Sequence, residues 1–399
     1  MQPTLQHHAR VDVADVLRGL AVMGIILLHS IEHFNFYSFP DTAGQGALLD
    51  FTDRAIWDGL FFLLGGKAYA IFALLFGFSF FIQDDNQRMR GNDFRRRFCW
   101  RLLLLFIIGN FNACFFTGEI LVMYSLIGIV LVLTCRLSTK WVLAIAALCM
   151  LQPVAVYNVI RASLDSSYVT PTVPSSHLWG AAFAMQSGGT FLGTVAVNIW
   201  EGQLASLAWA WDHGRIFQTA SLFMLGMVIG RNGLFLKEHL PMWGRVLAIS
   251  LIAFFPLHGL DQMLPNFIDN KNILSPLSII ISSLANLSFM FVLVSGILFA
   301  FYRTNMHDLL MKITPYGKMS MTNYVTQSIV GSMIYYNWGF GMHAHLGITA
   351  SFLLGIVLFM LQYMFCRWWI SSHSHGPMEY MWKRATWIDK SLRPTVKTL

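Results

Sequence analysis

Two ionisable side chains, Arg18 and His29, lie in the first long apolar stretch of the chain. They are eleven residues apart, which places them on one face of a helix with about 16 Å of rise between them. Ionisable groups at membrane depth are costly and usually line a cavity or a pathway. A guanidinium pairs well with phosphate, and an imidazole can act as a general base near neutral pH. The pair predicts a ligand-binding arginine and a deeper catalytic histidine, unless Arg18 is an interfacial anchor and His29 a hydrogen-bonded core residue.

Three further polar positions interrupt apolar stretches. Lys67 follows Gly65 and Gly66 near the middle of the second stretch, where its amine needs a buried partner or a cavity. Glu119 opens a later stretch and is the candidate partner, although a carboxylate there also suits a helix N-terminus. Asn323 belongs to a polar stripe that either contributes to a site or bonds neighbouring helices. If the site transfers an acyl group, Lys67 or Asn323 could stabilise the oxyanion.

The elements that must position these residues are transmembrane helices. Hydrophobic residues make up 56% of the 399-residue chain and charged residues only 12%, against about 25% charged in a soluble domain. Ten stretches are long enough, or nearly so, to cross the ~30 Å hydrocarbon core of a bilayer. They fall at Leu17–Phe36, Trp57–Gln83, Phe98–Phe116, Ile120–Cys135, Trp141–Ile160, Ile216–Ile229, Val246–Leu260, Ser275–Phe301, Tyr316–Trp338 and Leu346–Trp369. We therefore expect an all-α polytopic membrane helix bundle with about ten transmembrane helices, a single domain over 1–399.

The basic residues predict the orientation of these helices. With the N-terminus in the cytoplasm, 22 of the 27 Lys and Arg residues fall in cytoplasmic segments, as the positive-inside rule requires. Both termini are then cytoplasmic, 371–399 is a cytoplasmic tail, and 163–214 is an external interfacial or re-entrant segment. Because the charges alternate between loops and do not form one face, the net charge of +7 does not indicate nucleic-acid binding.

The cysteines and histidines show no metal-binding pattern. Five scattered cysteines have neither metal-ligand spacing nor a disulfide framework. Six of the thirteen histidines lie at or toward the predicted outer side, so a haem there is an alternative, but we expect no metal or haem. The first apolar stretch lacks a small-residue cleavage site and is predicted to remain as the first helix.

Five stretches of the sequence resemble the YeiB-like family of bacterial inner-membrane proteins. They cover 15–25, 67–77, 101–124, 317–328 and 376–383, and include the motifs DVLRGLA, GEIL, GKMSMTNY and GPMEYMWK. The resemblance spans nearly the whole chain, with the stretches in the same order. It implies a multi-pass protein of the bacterial inner (cytoplasmic) membrane.

The YeiB-like family is in turn similar to transmembrane acyltransferases of the heparan-glucosaminide acetyltransferase and O-antigen acetylase types. That similarity implies a cytoplasmic acyl donor and a sugar acceptor on the far side. The acetylase type carries an arginine and a histidine with ten residues between them, as in Arg18 and His29. The YeiB-like pattern more often has asparagine at the position of His29, histidine near Asn112 and aspartate at Glu119, so this chain departs from it at three positions.

The expected function is therefore transmembrane acyl transfer. An acyl-CoA, with acetyl-CoA as the first choice, is the expected donor, with Arg18, Arg97 and Arg101 binding its phosphates. His29 is the expected general base, at the end of a tunnel that follows its helix face, and the acceptor is a hydroxyl or amine of an envelope-side sugar or small metabolite. Membrane lipids are the other expected partners, and a homo-oligomer stays open. The alternative is a transporter or flippase that uses the same charges to bind a small polar or lipid-linked substrate.

Overall fold

The computed structural model describes residues 11–32, 34–37, 39–40, 45–173 and 175–388, and all regular structure in these ranges is helical. The helices are α1 Asp12–Ile31, α2 Ala47–Leu64, α3 Ala68–Met89, α4 Arg95–Ala113, α5 Leu121–Ile127, α6 Ile129–Thr134, α7 Thr139–Met150, α8 Pro153–Leu164, α9 Ser175–Gly188, α10 Phe191–Val197, α11 Gln203–Asp212, α12 Arg215–Arg231, α13 Leu240–Met263, α14 Lys271–Arg303, α15 His307–Met311, α16 Thr314–Lys318, α17 Ser320–Tyr335, α18 Ile348–Ser372 and α19 Pro377–Thr386. A π-helical turn, Asn198–Gly202, joins α10 to α11, and short 3-10 turns occur at Lys237–His239, Leu264–Asn266 and Met342–Ala344.

Five helical stretches of the described chain are long and apolar enough to cross a membrane. They are Asp12–Ile31, Ala47–Met89, Lys237–Asn266, Lys271–Arg303 and Ile348–Ser372, and α7 with α8 makes a sixth if a pair bent by 47° is one span. The remaining predicted spans coincide with α4, which carries four arginines, and with the short α5–α6, α12 and α17. The helical class is confirmed, and the described chain has helices long and apolar enough to span a membrane, whereas the count of ten and the orientation stay predictions.

The centre of the bundle is built on close contacts between α3 and α12. A methyl group at Gly77 would lie 1.9 Å from the Phe223 carbonyl oxygen, and one at Gly226 would lie 1.8 Å from the Leu74 carbonyl oxygen. Small residues of this kind let two helix backbones approach closely inside a membrane. Helix α1 packs against the same α3 and brings Arg18 beside it. The interior of α1, α3, α12 and α17 is therefore the frame of the candidate site.

A break between α2 and α3 places Lys67 inside the bundle. The sequence predicts one continuous second span, whereas the structure interrupts it at Gly65–Lys67. Gly66 has a φ of +72°, a left-handed conformation that glycine adopts without a steric penalty. A side chain there would also meet the Asn286 amide of α14 at 3.1 Å. Glycine at this position therefore lets the chain turn while α14 stays close.

The segment 163–214 folds against the junction of α4 and α5. The Gln186 amide on α9 donates to the Asn198 side chain at 2.8 Å and to the Thr117 hydroxyl at 3.4 Å. Gly202 packs against the same Thr117. The helices of this segment are not among the stretches that meet the spanning criteria, and their interfacial or re-entrant placement stays a prediction.

Candidate functional site

A cavity of about 280 Å³ lies between α1, α3, α4, α17 and α19, and we call it the Arg18 cavity. The Arg18 guanidinium lines it, forms an ion pair with Asp15 at 2.6 Å and donates a hydrogen bond to the Ser79 hydroxyl at 3.0 Å. Arg101 and Lys318 line the same cavity. These three cations outnumber the two nearby carboxylates, Asp15 and Glu379, so the polar end of the cavity suits an anionic ligand.

The other end of the Arg18 cavity is apolar. Phe72 and Phe76 of α3 line it together with Leu121 and Tyr124 of α5. The cavity thus joins a cationic end to an aromatic end, and this combination suits a ligand that carries a charged group on an apolar or extended body.

His29 does not line the Arg18 cavity. Its ring packs against aromatic rings, with centroid distances of 4.6 Å to Phe116, 6.2 Å to Phe34 and 6.3 Å to Tyr324. The Arg18 cavity therefore does not extend to His29, contrary to the tunnel predicted along this face of α1. The physical reason is that aromatic side chains from α17 and from the neighbouring loops fill the space on that side. The catalytic role of His29 stays a prediction.

Arg97 is predicted to bind donor phosphates, and the structure gives it a different contact. Its side chain is 3% exposed, it donates to the Thr386 carbonyl at 2.5 Å, and it stacks over the Trp387 ring at 4.7 Å. Arg97 does not line the Arg18 cavity. It caps the C-terminal end of α19, where a cation meets carbonyl groups that no helical N–H can satisfy.

Arg101 contacts both the Arg18 cavity and α19. It lines the Arg18 cavity, stacks over the Trp382 ring at 4.0 Å and donates to the Thr386 hydroxyl at 3.2 Å. At the other end of α19, the Glu379 carboxylate accepts from the Met321 backbone N–H at 2.7 Å and from the Thr322 hydroxyl at 2.6 Å. Helix α19 is thus held by α4 and α17, and with Trp382 and Glu379 it forms one wall of the cavity.

Lys67 and Glu119 do not form the predicted pair. Glu119 is 2% exposed and accepts hydrogen bonds from the Asn112 amide and the Leu121 backbone N–H. It therefore caps the N-terminal end of α5, which is the local alternative that its position allowed. The Lys67 amine donates to the Phe61 carbonyl at 3.4 Å and, among charged groups, faces Arg215.

Asn323 lies in a helix junction and does not line the Arg18 cavity. Its amide donates to the Tyr316 carbonyl at 3.0 Å, and its side-chain oxygen accepts from the Cys366 thiol at 3.2 Å. The residue is 1% exposed. These contacts match the helix-bonding alternative for the polar stripe, and its predicted role as an oxyanion donor has no support in this geometry.

A second cavity, of about 410 Å³, lies between the start of α12, the end of α13 and the start of α14, and we call it the Arg215 cavity. Tyr69 separates the two cavities. The Tyr124 hydroxyl, on the Arg18 cavity, donates to the Tyr69 carbonyl at 3.0 Å, and the Tyr69 hydroxyl donates to the Gln218 side chain, which lines the Arg215 cavity. The Arg215 guanidinium stacks over the Tyr69 ring at 4.8 Å.

Sequence reasoning did not single out Arg215 or Tyr69. One signal was present, since Arg215 is among the five basic residues that fall outside the predicted cytoplasmic segments. Tyr69, by contrast, follows Lys67 in a stretch with the composition of any aromatic membrane helix. Its place between two cavities depends on α5 and α12, which lie far along the chain.

A third depression, of about 520 Å³, lies outside the Arg18 cavity, and we call it the Lys383 cavity. Lys383, Arg384 and Tyr380 of α19 line it. His375 lines both this cavity and the Arg18 cavity. The two spaces therefore meet at the loop before α19, and each carries basic side chains.

Comparison with known proteins gives relatives without a described activity. Residues 229–389 match a family described as a protein of unknown function, DUF418. The chain is 26% identical to the uncharacterized protein YxaH of Bacillus subtilis (strain 168), over 100% of this chain and 98% of the relative. It is 25% identical to the uncharacterized protein YeiB of Escherichia coli (strain K12), over 93% of this chain and 95% of the relative. No solved structure matches the chain. The chain is therefore similar to YeiB-like proteins over most of its length, and none of these relatives is described as an acyltransferase.

Proposed function

We propose that the protein transfers an acyl group from an acyl-CoA bound at the α19 end of the bundle to an acceptor on the other side of the membrane. The observation that supports this proposal is the pair of joined basic cavities. The Arg18 cavity and the Lys383 cavity share His375, and between them they carry Arg18, Arg101, Lys318 and Lys383. Phosphate groups favour such clusters of guanidinium and ammonium donors.

The sizes of the cavities suggest how the donor is divided between them. The Arg18 cavity, about 280 Å³, is at the small end of the ~300–1,000 Å³ range of ligand pockets, and it does not hold a whole nucleotide cofactor. In the proposal, the nucleotide occupies the Lys383 cavity against Lys383 and Arg384. The pantetheine arm passes His375, and the thioester lies at the apolar end near Tyr124.

The chemical step needs His29 to reach the acceptor and the thioester. In the proposal, the His29 imidazole takes the proton of the acceptor hydroxyl or amine as that group attacks the thioester carbonyl. The carbon–sulfur bond then breaks, and the CoA thiolate leaves and is protonated. Because aromatic rings now pack against His29, this step requires Phe116 or Tyr324 to move when the donor is bound.

Transport is the second candidate, and a specific observation favours it. Tyr69 lies between the Arg18 and Arg215 cavities, because it bonds to Tyr124 of the first and to Gln218 of the second, while His29 lines neither cavity. Two polar cavities with a thin partition between them are the arrangement expected of alternating access. A small anion moving past Tyr69 would need no catalytic residue.

Acetyl-CoA binding and thiol release by the purified protein in lipid nanodiscs test the first proposal. We expect saturable binding and slow release of free CoA. Arg18→Gln should weaken binding about tenfold or more, through the loss of a charge-assisted contact, and His29→Ala should abolish thiol release while leaving binding intact. Arg54→Gln, an exposed arginine of α2, is the matched control and should change neither.

The outcomes separate the two candidates. Absence of acetyl-CoA binding, or equal loss in the Arg54→Gln control, contradicts acyl transfer. Transport then predicts that Tyr69→Ala, which opens the partition, raises the flux of a labelled anion into proteoliposomes. Acyl transfer predicts no such flux with either the wild type or the variant.

A further inference from the structure

The Arg215 cavity is lined mainly by polar side chains. Arg215 and Gln218 of α12 face it, together with Ser282 and Asn286 of α14 and with Asp261 at the end of α13. Its volume of about 410 Å³ falls within the ~300–1,000 Å³ range of small-molecule sites. A cavity with this many hydrogen-bonding groups suits a small polar ligand.

Arg215 lines this cavity, and Lys67 lies near Arg215 without lining the cavity itself. The Arg215 guanidinium donates to the Gln218 side chain at 2.8 Å and stacks on Tyr69 and Trp209. The Lys67 amine is close enough to repel it, is 8% exposed and lies 5.6 Å from the Phe289 ring centroid. In the part of the chain that the structure describes, neither cation forms an ion pair with a carboxylate. Like charges held together in a membrane protein are costly unless an anion joins them.

Each of the two carboxylates on the cavity wall accepts a hydrogen bond from the protein. Asp261 accepts a hydrogen bond from the Ser278 hydroxyl at 2.6 Å, and Asp212 accepts one from the Val173 backbone N–H at 3.2 Å. Partial burial lowers the pKa of the His213 imidazole on the same wall, so this ring adds no positive charge at neutral pH. The remaining lone pairs of the two carboxylates can accept from donor groups on a ligand.

We infer that the Arg215 cavity binds a small organic anion that also carries hydroxyl or amino groups. Its acid group pairs with Arg215, and the positive charge of the nearby Lys67 also attracts that group. Its hydroxyl or amino groups donate to Asp212 and Asp261, and the serine and amide side chains of α14 complete the contacts. This site is separate from the acyl-donor cavities, and the inference holds whichever of the two functions is correct.

Calorimetric titration of the full protein in nanodiscs of neutral lipid tests the inference with defined probes. D-gluconate is the hydroxylated carboxylate, D-sorbitol its neutral counterpart of the same carbon number, and glycerol 1-phosphate the phosphate arm. We expect saturable gluconate binding and little sorbitol binding. Arg215→Gln should weaken gluconate binding about tenfold or more, because a charge-assisted contact to the acid group is lost. A preference for glycerol 1-phosphate over gluconate would assign the acid group as phosphoryl.

The experiment has a control variant and a set of results that would contradict the inference. Arg161→Gln removes an arginine that stacks over Tyr168 at 5.5 Å and does not line the cavity, so it should bind gluconate as the wild type does. If Arg215→Gln does not fold, Arg215→Lys keeps the charge and should retain part of the affinity, since a point charge replaces a bidentate fork. Equal binding of gluconate and sorbitol, absence of binding by both anions at millimolar concentration, or wild-type affinity in the Arg215 variants would overturn the inference.

Discussion

Removal of the Arg97 side chain should release α19 from the bundle without unfolding the rest of the protein. Arg97 is the buried member of the arginine run at the start of α4, and its guanidinium donates to the Thr386 carbonyl at 2.5 Å. It also lies over the Trp387 ring. In Arg97→Ala, the end of α19 loses its cap and its aromatic contact, while α4 itself gains a residue with high helix propensity.

The expected size of the effect follows from these two contacts. A hydrogen bond from a charged donor contributes about 1.5–3 kcal/mol, and a desolvated cation–π contact contributes up to about 2 kcal/mol. Removing the guanidinium also removes the cost of burying it, so the net loss should be near the lower part of this sum, about 2–2.8 kcal/mol. Because 1.4 kcal/mol is a factor of ten, the detached population of α19 should rise by roughly 30- to 100-fold.

Hydrogen exchange followed by mass spectrometry measures the population of molecules in which α19 is detached. Peptides from 377–388 should exchange roughly 30- to 100-fold faster in Arg97→Ala, and peptides from α3 and α12 should not change. Arg96→Ala is the matched control, because Arg96 is an exposed neighbour on the same helix. Unchanged protection of 377–388, or the same acceleration in the Arg96→Ala control, would refute the assignment of Arg97 as the cap of α19.

Two further predictions concern packing and the intramembrane charges. Gly226→Ala should remove most folded protein from the membrane fraction, because the added methyl would lie 1.8 Å from the Leu74 carbonyl oxygen and force α3 and α12 apart. Gly296→Ala is the control, because a methyl group there meets no atom within 4 Å, and it should leave the yield of folded protein unchanged. Normal yield of Gly226→Ala would contradict the close α3–α12 packing. Lys67→Met and Glu119→Gln should have additive effects on the midpoint of thermal unfolding, because the two groups do not interact in the structure. A double variant whose midpoint falls by less than the sum of the two single shifts would indicate that Lys67 and Glu119 form the predicted pair.

Several properties could be predicted from the sequence because they depend on local composition. Hydrophobic content and the length of apolar runs are sufficient for the helical membrane class, since lipid permits few other ways to satisfy the backbone. The distribution of basic residues also placed Arg18 and the α4 arginines toward one end, where Arg18 and Arg101 share a cavity. The number of spans was less certain, because a short helix such as α17 or an arginine-rich one such as α4 has no distinctive hydropathy.

Only the tertiary structure decided which partner each polar side chain has. Arg97 meets Thr386, Glu119 accepts from Asn112 of α4 and Leu121 of α5 and not from Lys67, and aromatic rings close around His29. The contacts of Arg97 and His29 depend on how helices far apart in the chain pack and on what fills the space between them, and the period of one helix carries neither kind of information. The sequence by itself therefore determined which charges had to be inside the bundle. The folding of α19 onto α4, and of α12 onto α3, determined that these charged side chains line separate cavities on either side of Tyr69.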